Sequence, residues 1–194
     1  MNGSDRADAG AAGAPATTAA AAGHATRPGG TANFRWLLLT LAVIAVDQWT
    51  KILIAGHWSL FEVRRVLPVF DLVYYHNTGA AFSFLNDASG WQRWLFTALA
   101  VAVSIGLLVW LRRIDRRAPW MAAAVTLVLG GAVGNAIDRV RLGYVIDFIQ
   151  VHWGMHYFPA FNVADSAITV GAGLLILDAW LGSRRTGDGG RQGV

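Results

Sequence analysis

Residues 118–137 read APWMAAAVTLVLGGAVGNAI, 20 positions without a charged side chain, and the run stops at Asp138-Arg139. About 20 apolar residues of helix cross the hydrocarbon core of a bilayer. The apolar run is continuous rather than alternating, and lipid does not tolerate an open sheet edge, so a helix is the reading. Three further stretches repeat the pattern, at 34–55, 91–111 and 163–181. The fold class expected is an all-α membrane protein, a four-transmembrane-helix bundle with both termini on one side.

Composition agrees. Of 194 residues, 55% are hydrophobic and only 14% charged, against about a quarter charged in soluble domains. Mean hydropathy is +0.42. The absence of cysteine excludes a disulfide framework, a Cys-ligated metal centre and a thiol nucleophile. Net charge is +4 and Lys51 is the only lysine; no basic stripe interleaves with aromatics, so nucleic acid is not an expected partner. Residues 1–33 mix Ala, Gly, Thr and Pro and are expected to be a disordered tail rather than a secretory signal peptide. A four-span core at 34–182 and a short tail at 183–194 complete the domain division.

Arginine placement orients the bundle. The loop 112–117 is strongly basic, and Arg27, Arg35, Arg184 and Arg185 flank the other ends on that side, which makes it cytoplasmic. Arg64, Arg65, Arg93, Arg139 and Arg141 fall on the opposite side, so the bias is incomplete. Tryptophans 36, 58, 91, 110, 120 and 180 sit near span ends, as an interfacial belt does. Between the first two spans, β-branched and aromatic stretches at 62–67, 70–75 and 81–84 predict a small extracytoplasmic sheet on the outer surface.

Ionisable groups near a span are costly and therefore functional candidates. Asp47 and Lys51 are four residues apart on one helix face, which suits a structural ion pair. Asp178 lies near the cytoplasmic end and can snorkel to water. Asp138 has Arg139 beside it and Asn135 one turn back, an orienting network rather than a catalyst. Asp147 and Asp165 are embedded among apolar residues without a basic residue within three positions. Two such carboxyls can lower their cost by approaching and sharing a proton, which leaves one acid and one base. Gly130, Gly131 and Gly134 read as close helix packing. His152 and His156 have the spacing of a zinc helix, but Trp153 stands where a metalloprotease needs Glu and Gly154 weakens the helix, so no metal is expected.

Five blocks, at 47–51 (DQWTK), 77–83 (NTGAAFS), 134–139 (GNAIDR), 145–148 (VIDF) and 161–165 (FNVAD), in this order on four spans, resemble lipoprotein signal peptidase, also called signal peptidase II. The likeness covers about residues 34–182. It implies a bacterial inner-membrane aspartic endopeptidase that removes the signal peptide from diacylglyceryl-modified prolipoproteins, cutting before the lipidated cysteine. Carried over by motif, the catalytic dyad falls on Asp147 and Asp165, the same pair the desolvation argument selects. Asn77, Gly79, Asn135, Asp138, Arg139, Asn162 and Ala164 become substrate-binding or supporting residues. The expected enzyme is a cofactor-free monomer among membrane lipids, multi-pass, with cytoplasmic termini and its active site at the outer face. A proton-coupled transporter and a non-catalytic scaffold are the rivals; the lack of an inverted repeat and the carboxyls gathered at one face count against the former.

Overall fold

The computed structural model describes residues 30–79 and 90–188. The expectations for the N-terminal tail before residue 30, for a strand at 81–84 and for the side chains of Arg184 and Arg185 lie outside the described residues. After a 3-10 turn at Gly30–Trp36, the elements are α1 (Leu37–His57), β1 (Val63–Leu67), β2 (Phe70–Asn77), α2 (Trp91–Arg113), α3 (Pro119–Leu142), β3 (Val145–Trp153), β4 (His156–Tyr157) and α4 (Val163–Asp188). The four apolar stretches are thus four helices, each with a segment long and apolar enough to span a membrane.

Helix α3 sits at the centre. Its apolar window is 56% buried within the protein, against 11% for α2, whose Leu95, Leu99 and Ile105 point outward as lipid-facing side chains do. Pro119 occupies the start of α3, where its missing N–H costs nothing, and Gly143 ends the helix in a left-handed conformation at φ 89°. A central helix needs close neighbours, and the glycines provide them. A Cβ at Gly130 would lie 2.8 Å from Val43 Cβ on α1, and one at Gly131 would run into the carbonyl oxygen of Ala164 on α4. Thr40 on α1 adds a hydroxyl bond to the Thr126 carbonyl of α3 (2.9 Å).

Gly131→Ala is therefore expected to force α3 from α4 and cost about 1–3 kcal/mol. Gly173→Ala, on α4 with nothing within 4 Å, is the control and is expected to keep stability or raise it by up to about 1 kcal/mol. Chemical unfolding in detergent micelles measures both.

The sheet is larger than the first outer loop supplies. Its order is β1-β2-β3-β4, all antiparallel, and β3 and β4 come from between α3 and α4. The β-branched and aromatic stretches of the sequence placed it only between spans one and two. The run Val145–Trp153 also satisfies strand propensity, and its partner is the distant β2. Ile54, Tyr74, Ile146 and Phe148 bury one another where the sheet meets α1, so the sheet is seated on the helix ends.

Candidate active site

Asp165 is placed by a helix start. Asn162 Oδ1 accepts the Asp165 backbone N–H (3.0 Å), and Asp165 Oδ2 accepts the Asn162 N–H (3.2 Å). This reciprocal pair is a capping box, which satisfies two donors that α4 would otherwise leave open. The spacing Asn-x-x-Asp ahead of an apolar run was a readable signal for it. Asn135 Nδ2 on α3 donates to the other oxygen, Asp165 Oδ1, at 2.7 Å.

Asp147 is placed by the sheet. It lies opposite Tyr75 in the β2–β3 register, which sets Asn77 diagonally beside it. Asn77 Nδ2 donates to Asp147 Oδ2 (2.9 Å), while Asn77 Oδ1 accepts the Gly79 N–H (2.8 Å) in a local turn. Gly79 has φ +86°, and a Cβ there would meet Phe96. The turn and the carboxylate contact thus coexist at Asn77.

One side chain joins the two acids. A bridge between Ile149 and Phe161 ties the chain before α4 to β3, which brings Asn162 alongside. Asn162, fully buried, donates from Nδ2 to Asp147 Oδ1 at 2.8 Å while capping Asp165 through its own backbone and carbonyl oxygen. Burial, the Asn77 contact and the Asp165 charge act on Asp147 in that order, and the balance pushes its pKa up to about 6. Asp165 is half-buried and borders a cavity of about 380 Å³ lined also by Phe158, Phe161, Ser166, Thr169 and Val170.

The remaining residues fall into place around this pair. Lys51 does pair with Asp47 (2.8 Å), but it pairs equally with Asp138 (2.8 Å), and both contacts are buried. The ionic partner of Asp138 is thus Lys51 on another helix, not the adjacent Arg139, because consecutive helical side chains point to different faces. Gln48, which composition did not single out, donates to Asp138 Oδ1 at 2.8 Å. Arg139 packs over Phe96 and lies within electrostatic reach of Asp165, Asp138 and Asp147. Ala164 is fully buried and donates its N–H to Asp47 Oδ1 (2.9 Å). Asp178 lies on the exposed face of α4.

His152 and His156 do not form a helical pair. They belong to the β3–β4 hairpin, where His152 is buried with Nε2 3.4 Å from Asp71 Oδ2, and His156 is exposed. Among the described residues, no cluster of three or more His, Asp or Glu side chains is arranged to hold a metal.

Known proteins resemble this chain in sequence and fold. A family model described as signal peptidase (SPase) II matches residues 39–181. The lipoprotein signal peptidase of Pseudomonas fluorescens (strain Pf0-1) is 55% identical over 155 residues, 79% of this chain and 91% of that protein. The lipoprotein signal peptidase of Acinetobacter baylyi is 51% identical over 148 residues, 76% of this chain and 83% of that protein. A solved bacterial membrane enzyme, determined by the in meso method at 2.3 Å, is 31% identical with a TM-score of 0.68, covering 77% of this chain and 89% of that one.

Proposed function

Because the chain belongs to the signal peptidase II family and is a bacterial inner-membrane peptidase, we propose that it removes the signal peptide from diacylglyceryl-modified prolipoproteins through an Asp147–Asp165 dyad. The observation that carries the reading is the shared grip of Asn162 on both carboxyls, beside a cavity open at Asp165. Both termini are cytoplasmic in this reading, and the site lies at the outer face. There water reaches the scissile bond while the signal helix and acyl chains remain in lipid. The enzyme works as a monomer, and its partners are the lipidated precursor and the surrounding lipids.

Asp147 holds the proton in the resting dyad, since burial favours its neutral form. Asp165 serves as the base and removes a proton from water, whose oxygen attacks the scissile carbonyl. Asp147 donates its proton to the carbonyl oxygen, and a neutral gem-diol forms. Collapse breaks the C–N bond: Asp165 delivers its proton to the leaving amino group of the lipidated cysteine, and Asp147 recovers one from the diol. Arg139 faces the dyad from α3 and moderates its negative charge. Asn77 and Asn162 hold Asp147, while Asn135 aims Asp165 without adding charge.

The test is cleavage of a diacylglyceryl-modified precursor by the purified chain in detergent, across pH and with a chelator present. The expected result is metal-independent release of the signal peptide, with kcat/KM falling above a limb near pH 6 as Asp147 loses its proton. Activity lost to the chelator and restored by zinc defeats the dyad.

A further inference from the structure

Lys51 is among the largest side chains to be fully enclosed, and no step of the proposed chemistry uses it. Its ammonium group contacts Asp47 Oδ2 (2.8 Å), Asp138 Oδ2 (2.8 Å) and Asn135 Oδ1 (3.0 Å). Each carboxylate partner has a second bond, and the two bonds are parallel in kind. Asp47 Oδ1 accepts the N–H of Ala164, the residue before Asp165. Asp138 Oδ2 accepts the N–H of Ile146, the residue before Asp147 (3.3 Å). Asn135, the third partner, donates to Asp165 itself.

We propose that Asp47, Lys51 and Asp138 are positioning residues: one buried cation holds two carboxylates, each clamping the backbone immediately ahead of one dyad aspartate, and so sets the separation of the dyad. The inference rests on the dyad reading and deepens it. Asp165 starts a helix and Asp147 sits on a strand, two elements already tied directly by the Ile149–Phe161 bridge and by Asn162. A second link between them runs through α1 and α3, which carry the three charges. Glycine at 134 is part of the same construction, since a Cβ there would lie 2.7 Å from Asp47 Oδ2 and 3.4 Å from Ala164 Cβ. Gln48 Nε2 bridges the two carboxylates from the other side, at 3.3 Å to Asp47 Oδ2 and 2.8 Å to Asp138 Oδ1.

Asp47→Ala and Asp138→Ala test this, because each leaves Lys51 with one carboxylate and hence a neutral buried pair. Per folded enzyme, each is expected to lower kcat by about 100-fold, the effect of a displacement of about 1 Å in an active site, with KM nearly unchanged. Each is also expected to shift the descending pH limb, because the coupling of two carboxyls depends on their distance. Asp47→Asn and Asp138→Asn, which keep an oxygen acceptor for the backbone N–H, are expected to recover most of the rate. Where an alanine variant does not accumulate, Asp47→Glu or Asp138→Glu keeps the charge, displaces the clamp and carries the same expectation. Wild-type kcat and an unmoved pH limb in the folded alanine or glutamate variants would overturn the proposal and leave the three residues a structural brace. Failure of the dyad reading is distinct: the unaltered protein would then not cleave, or Asp147→Asn would remain active.

Discussion

Asp147→Asn and Asp165→Asn are each expected to lower cleavage of a lipidated precursor by at least about 1,000-fold, within the range that a positioned acid or base contributes. Both variants are expected to insert and fold. Asn is close in shape to Asp and still accepts one of the amide bonds that hold each carboxyl. Asp147 adds a signature in stability. Its pKa rises from 3.8 unfolded to about 6 folded, so the folded state binds the proton more tightly. That advantage is complete below about pH 4, shrinks as pH rises, and is gone above about pH 6; ionised Asp147 then costs up to about 3 kcal/mol. Asp147→Asn removes this cost. The variant is therefore expected to be inactive yet more stable than the unaltered protein at pH 8, with the gain vanishing below pH 4. Unfolding in detergent at the two pH values, beside a gel assay of precursor cleavage, reads both effects. A transporter would lose flux rather than cleavage, and a scaffold would lose a binding partner with no change in either assay.

Lys51→Met is expected to have the largest effect on folding. The side chain is 2% exposed and its two carboxylate partners are 0% and 3% exposed. Removing one member of a buried ionic cluster leaves the others uncompensated, at a cost of about 3–5 kcal/mol. Here two carboxylates are left together, so the variant is expected to accumulate poorly near neutral pH. Combining Lys51→Met with Asp47→Asn and Asp138→Asn removes all three charges and keeps an oxygen toward each clamped N–H. That combination is expected to recover most of the stability, as measured by unfolding in detergent. A single Lys51→Met protein as stable as the unaltered one would show that the cluster is hydrated rather than sealed.

Much of the bundle was legible because hydropathy is additive along the chain. Residues 91–111 need no knowledge of any other segment to be read as a span, and α2 begins and ends within two residues of that range. The outer sheet was half legible. Val63–Leu67 and Phe70–Asn77 form a local hairpin, whereas β3 is a strand by virtue of a partner about 70 positions away. The spacing of the two histidines carried no information for the related reason that i, i+4 has meaning only on a helix, and across the β3–β4 hairpin His152 pairs with Tyr157 while His156 pairs with Trp153.

The sequence by itself determined the spans, their order and the identity of two acidic residues that have no local counter-charge. Those follow from transfer free energies, which each segment carries alone. Only the tertiary structure decided that Asn162 grips both acids, that Asn77 serves Asp147, and that Lys51 answers to Asp138 as well as to Asp47. A hydrogen bond or ion pair is a matter of a few ångströms, and the distance between residues remote in sequence is set by how helices and strands pack.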